Sequence, residues 1–138
     1  MESGKWKGGS GRERAKSRYN IYMINSHRDL QVWQRSIQLS IATYKLTASF
    51  PKEEIYGLTS QLRRASVSVP SNIAEGYGRG SRRDYKQFLC IARGSNLEVQ
   101  TQLLIAKELH FADAPQIERV ESLTVEIDKM LNTILKKL

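Results

Sequence analysis

The sequence predicts an all-α fold, an antiparallel up-down four-helix bundle with its second helix kinked at Pro70. Three observations lead there. From Leu30 to Leu138 apolar residues recur at three- and four-residue intervals, the spacing of one helical face, through four separate stretches. Between the stretches stand residues that end or begin helices: Phe50-Pro51, the run Gly76-Tyr77-Gly78-Arg79-Gly80, and Phe111 to Pro115. These connections are short, and short links between long helices make successive helices antiparallel neighbours.

A chain of 138 residues has the length of one domain and can bury a core without staples. The single cysteine, Cys90, has no intrachain partner, and His27 and His110 have no cysteine near them in a zinc-site spacing. No metal or cofactor is expected, and the composition suits a reducing cytoplasm. No apolar run is long enough to span a bilayer, and the basic N-terminus is not followed by an apolar leader. The net charge of +8 favours polyanionic partners, RNA or DNA among them.

Residues 1–22 are rich in Gly, Ser, Lys and Arg and show no apolar period, so they are expected to be a disordered basic tail. Lys5, Lys7, Arg12, Arg14, Lys16 and Arg18 against Glu2 and Glu13 give it half the net charge. It reads either as a basic arm for nucleic acid or as a non-native extension ahead of a start at Met23. The bundle occupies residues 23–138.

In the first helix, Leu30 to about Ser49 with Asp29 as its cap, Leu30, Trp33, Ile37, Ile41 and Tyr44 form the expected core seam. Val32, Leu39 and Leu46 recur on the opposite face, where a lone bundle should be polar, and are assigned to an oligomer interface. The second helix, Leu58 to Gly76, buries Leu58, Leu62, Ala65, Val69 and Ile73. Pro70 lies inside it and cannot donate to the Ser66 carbonyl, a fault of ~3 kcal/mol if uncompensated. Ser66, Ser68 and Ser71 are the expected local compensation. At the glycine-rich corner, Gly76 or Gly78 is expected to take the left-handed cap position.

Ser81, with Asp84 three residues on, starts the third helix. Tyr85, Phe88, Ala92, Val99, Leu103 and Ala106 form its core face, while Ile91, Leu97, Leu104 and Ile105 lie elsewhere around it. A helix apolar on nearly all sides asks for cover from a neighbouring subunit, so Leu97, Leu104 and Ile105 join the interface. Gly94 in mid-helix suggests close approach of another backbone. The fourth helix follows a capping box of Asp113 and Gln116 with Pro115 in the first turn. It turns Ile117, Val120, Thr124, Ile127, Leu131, Ile134 and Leu138 inward and ends in Lys136 and Lys137, where the helix dipole favours cations.

Several runs carry a family resemblance: Val32-Trp33-Gln34, Tyr56-Gly57-Leu58, Gln61-Leu62-Arg63-Arg64-Ala65, Ser68-Val69-Pro70-Ser71-Asn72-Ile73-Ala74-Glu75-Gly76, Gln87-Phe88-Leu89 and Ala92-Arg93-Gly94-Ser95. From about Leu30 to the C-terminus the chain resembles the bacterial four-helix-bundle proteins known as 23S rRNA intervening-sequence proteins. The resemblance implies a small all-α homopentamer, encoded in some bacteria within large-subunit rRNA genes. It also implies distant similarity to the accessory proteins of diversity-generating retroelements, and no settled biochemical activity.

No catalytic pattern stands out. Cys90 and the serines lack a histidine partner at a recognisable spacing, and Glu53 and Glu54 read as a solvated loop pair. Glu75 and Glu98 are expected in structural ion pairs with Arg64 or Arg93. Binding is better supported. Arg79, Arg82, Arg83 and Lys86 crowd the corner between the second and third helices, where positive charge adds to the dipole of a helix N-terminus and calls for an anion. Arg63 and Arg64 are secondary contacts, and Tyr77 is a candidate to stack on a base. The expected protein is a non-enzymatic, homo-oligomeric scaffold that binds RNA or DNA backbone. The alternative is an adaptor that recruits a partner polypeptide without nucleic acid.

Overall fold

A 3-10 turn, His27–Asp29, leads into α1, Gln31–Thr47; a second, Lys52–Glu54, precedes α2, Leu58–Gly78; α3, Arg82–Glu108, and α4, Ala114–Lys137, complete the chain. The computed structural model describes residues 26–138, so the reading of residues 1–22 lies outside the described residues. Among the described residues there is no strand.

The helix ends show which local signals act. Ser81 Oγ accepts the Asp84 N–H at 3.1 Å, so the expected cap of α3 forms. Asp29 does not cap α1. It sits in the 3-10 turn, whose own cap is Ser26, and Leu30 precedes the first residue of α1. At α4, Asp113 caps through its backbone carbonyl, which accepts the Gln116 N–H at 3.0 Å, and its side chain makes no capping bond. The Glu54 carboxylate accepts the Leu58 N–H at 2.9 Å, satisfying one orphan donor of α2 from the preceding turn. The left-handed position at the α2–α3 corner belongs to Gly80, φ +78°, rather than Gly76 or Gly78. Gly76 is needed for space: a Cβ there would lie 2.7 Å from that of Phe88.

Pairs of polar contacts fix the direction of each helix against the next. The Ser68 and Ser95 hydroxyls meet at 2.9 Å and Gln102 Nε2 reaches Gln61 Oε1 at 3.4 Å. Seven residues back along α2 thus correspond to seven forward along α3, an antiparallel pair. Ser40 with Ser66 and Thr47 with Arg63 set the same relation between α1 and α2. Asn96 with Thr124 and Lys107 with Glu121 set it between α3 and α4. Arg35 and Glu126, 2.9 Å apart, tie α4 back to α1 and close the bundle.

The core draws on all four helices, with Leu39, Leu62, Val69, Ile73, Leu89, Leu103, Ile117, Ile127 and Leu131 fully enclosed. The seams expected of α2 and α4 are found. That of α1 is only partly found: Leu30 and Trp33 pack partly buried against the core, but Val32, Leu39 and Leu46 face it, with Ser36, Thr43 and Thr47 beside them, while Ile41 and Tyr44 are exposed. Val32, Leu39 and Leu46 are therefore not available to an oligomer interface. The physical reason lies in the small hydroxyl residues. Ser36 donates to the Trp33 carbonyl and Thr47 to that of Thr43, so these two hydroxyls are satisfied within the helix and bury at little cost, whereas the Thr43 hydroxyl has no partner among the described residues.

α2 continues as helix across the buried Pro70. The Ser66 carbonyl, deprived of its helical donor, accepts the Ser40 hydroxyl of α1 at 2.8 Å. Two of the serines expected to compensate are engaged elsewhere, Ser66 with the Arg63 carbonyl and Ser68 with Ser95 and Asn72.

Candidate nucleic-acid interface

Alternation of helix direction brings the C-terminal end of α2, the N-terminal end of α3 and the C-terminal end of α4 to one end of the bundle. Arg82, Arg83 and Lys86 are exposed there, and among the described residues none has a carboxylate within ion-pair distance. Lys136 and Lys137 reach the same level. The Arg93–Asp128 ion pair at 2.9 Å sets the register of α3 against α4. Seven residues before Arg93 lies Lys86, and eight beyond Asp128 lies Lys136, so both stand about 10–12 Å along their helices from that pair. Those two lysines were legible at a helix end in the sequence, but joining them to the corner required the antiparallel rule to be carried through.

Arg79 is held differently from its neighbours. Its Nε and Nη2 reach Glu75 Oε2 at 3.0 and 2.9 Å, and its guanidinium lies 4.9 Å from the centre of the Phe88 ring. A surface pair of this kind contributes little to stability, yet it offsets one of the corner's charges. The partner of Glu75 is thus Arg79 rather than Arg64 or Arg93, and Arg93 pairs with Asp128. Tyr77 is partly buried and packs edge-to-face with Tyr85, centroids 6.1 Å apart, so its ring is already engaged. Burial, and to a lesser degree Tyr77, pushes the Tyr85 hydroxyl above its ordinary 10.0.

Arg63 and Arg64 do not join this cluster. They stand about 22–24 Å back along α2 from Arg79. Arg63 donates from Nε to Thr47 Oγ1 at 2.8 Å and lies 4.7 Å from the centre of the Tyr44 ring, bracing α2 against α1. Arg64 is exposed on the outer face of α2.

The apolar residues assigned to an interface on α3 are on the surface: Leu97, Leu104 and Ile105 are exposed, as is Ile91. Gly94 lies among them, and a Cβ there would meet nothing within 4 Å. No backbone among the described residues approaches it. Among the described residues no group of His, Cys, Asp or Glu is placed to hold a metal ion, and no helix is long and apolar enough to cross a membrane.

The model of the 23S rRNA-intervening sequence protein family matches residues 28–133. A Bacteroides thetaiotaomicron protein with unknown function, from the S23 ribosomal protein family, has a similar structure. The TM-score is 0.69 at 24% identity, over 76% of this chain and 98% of that one. No curated protein matches the chain.

Proposed function

The chain belongs to the 23S rRNA-intervening sequence protein family, and from that premise we propose that it is a cytoplasmic, non-enzymatic, homo-oligomeric scaffold that binds RNA or DNA through backbone phosphates. The contact surface is the end of the bundle formed by Arg82, Arg83 and Lys86, with Lys136 and Lys137 beside them. The observation that carries this reading is that Arg82, Arg83 and Lys86, with no ion-pair partner among the described residues, stand in the first turns of α3, where the helix dipole adds to their charge and Asp84 supplies the one acidic side chain. A phosphate backbone relieves both at once, and the contacts carry no base information. Arg79 contributes from the edge of the surface, its charge offset in part by Glu75.

The exposed Ile91, Leu97, Leu104 and Ile105 support self-association along α3. Five copies is the number implied by the family resemblance, and repetition of the basic end around such a ring raises avidity without new contacts.

The test is binding of a fluorescent single-stranded RNA and a duplex DNA at several salt concentrations, by the full chain and by an Arg82→Glu/Arg83→Glu/Lys86→Glu variant. Affinity should fall steeply with salt, and the variant should lose at least about tenfold, with a salt slope smaller by roughly 0.7–0.9 for each phosphate contact removed. Unchanged binding by the variant, or affinity indifferent to salt, would overturn the proposal.

A further inference from the structure

The seam between α1 and α4 is closed at one level and open at the next. At the level of Arg35 and Glu126 an ion pair spans it. One to two turns along α1, the small side chain of Ala42 leaves a cleft of about 490 Å³. Ala42, Leu46, Val120 and Leu123 form its apolar lining, and Lys45, Ser49, Gln116 and Arg119 supply polar groups. Lys45 on α1 and Arg119 on α4 have the same sign and cannot bridge the seam as Arg35 and Glu126 do. The neighbouring carboxylates of α4 are turned away: Glu121 and Glu118 lie 3.0 and 3.7 Å from Lys107 on α3. Among the described residues neither Lys45 nor Arg119 has an ion-pair partner. Asp113 lines a separate recess with His110 that adjoins the cleft through Ser49 and Gln116.

We propose that the α1–α4 cleft binds a small amphipathic anion, its oxyanion head between Lys45 and Arg119 and its apolar body on Leu46, Val120 and Leu123. The volume lies in the range of small-molecule sites, and an apolar wall with a few converging donors is their usual composition. A carboxylate or phosphate head accepts from both cations and from the Gln116 amide. The apolar body covers the surface that Ala42 leaves open. Asp113 in the adjoining recess fixes polarity, since a head placed there would meet a like charge. The site stands apart from the phosphate-binding end proposed above and does not depend on it.

The test is a fluorescence titration of the full chain with 8-anilinonaphthalene-1-sulfonate, beside the neutral N-phenyl-1-naphthylamine. Saturable binding of about one anionic probe per chain is expected, with the neutral compound at least about tenfold weaker. Lys45→Gln/Arg119→Gln, which alters only exposed side chains, should weaken the probe by at least about tenfold, as should Ala42→Trp, which fills the cleft. Arg82→Glu/Arg83→Glu should leave it unchanged. Displacement by decanoate would assign an alkyl carboxylate ligand, and displacement by phenyl phosphate an aryl phosphate. Equal binding of the neutral compound, indifference to the Lys45/Arg119 change, displacement by neither competitor, or an altered oligomer mass on Ala42→Trp, which would give the cleft to a second copy, would each overturn the proposal.

Discussion

The Ser40 hydroxyl of α1 donates to the Ser66 carbonyl of α2 at 2.8 Å, and that carbonyl is the one Pro70 leaves without a helical partner. A defect within one helix is repaired by its neighbour, so the proline becomes a point of attachment between them. Ser40→Ala should therefore cost about 1–2 kcal/mol, the penalty for a buried acceptor left unmet. Pro70→Ala restores the missing donor. In that background the same Ser40 substitution should cost markedly less, a coupling of about 0.5 kcal/mol or more. Urea unfolding of the two single variants and the double variant measures it, and simple additivity would show that the two residues do not communicate.

The same pair shows where sequence reading stops. The position of Pro70 inside a helical pattern was visible, and so was the identity of the carbonyl it orphans. The donor was not, because it lies 26 positions away on another helix. On α1 the failure was of a different kind. Large apolar residues, Trp33, Ile37, Ile41 and Tyr44, marked one face, while the true core face mixes Val32, Leu39 and Leu46 with Ser36, Thr43 and Thr47. Hydropathy counts those hydroxyls as polar, yet two of them bond to carbonyls of their own helix. Where the inward face was plainly apolar, as in α2 and α4, periodicity was enough. The basic corner was legible because its residues are close in sequence, whereas Lys136 and Lys137 join it through tertiary register alone.

Gly76 and Gly94 both lie within helices and should respond oppositely to the same substitution. At Gly76 a Cβ would meet the Cβ of Phe88 at 2.7 Å and Tyr85 at 3.3 Å, in the tight α2–α3 contact. Gly76→Ala should destabilise by about 1–3 kcal/mol through overpacking. At Gly94 the space is open among the described residues, so Gly94→Ala should stabilise the fold by roughly 0.5–1 kcal/mol. Thermal unfolding of each variant reads both. Sedimentation of Gly94→Ala adds a second readout. A loss of oligomer with an intact fold would mean that another subunit's backbone packs there, the close approach that a mid-helix glycine suggests.

His110 holds a left-handed conformation, φ +59°, at the end of α3. The N–H of Phe111 reaches back to the Ala106 carbonyl at 3.0 Å, and that of His110 to Lys107 at 3.1 Å, the bond pattern that ends a helix with a left-handed residue. A side chain is tolerated at such a position at some cost, and glycine is not strained there. His110→Gly should raise stability by about 0.5–1 kcal/mol and leave the helix content unchanged. A lower midpoint in urea would mean that the imidazole makes contacts worth more than the relief of its backbone.

His27 couples the start of the bundle to pH. Its ring meets Trp33 edge-on, centroids 5.0 Å apart. Burial first, and the Arg28 charge second, hold the imidazole below its ordinary 6.5. The folded chain thus prefers the neutral ring, and the unfolded chain takes up a proton at higher pH than the folded one does. The contribution of His27 to stability is fully present above about pH 6.5 and is lost as pH falls through the lowered folded value. Lys107 works in the other direction and outside that window. Its hydrogen bond with Glu121 raises its pKa above 10.5, so its contribution persists until the solution becomes more alkaline than that. Urea midpoints taken between about pH 7.5 and pH 5 should therefore decline, and His27→Gln should decline less over the same interval. Parallel curves for the two proteins would remove His27 from the acid limb and leave carboxylate protonation to account for it.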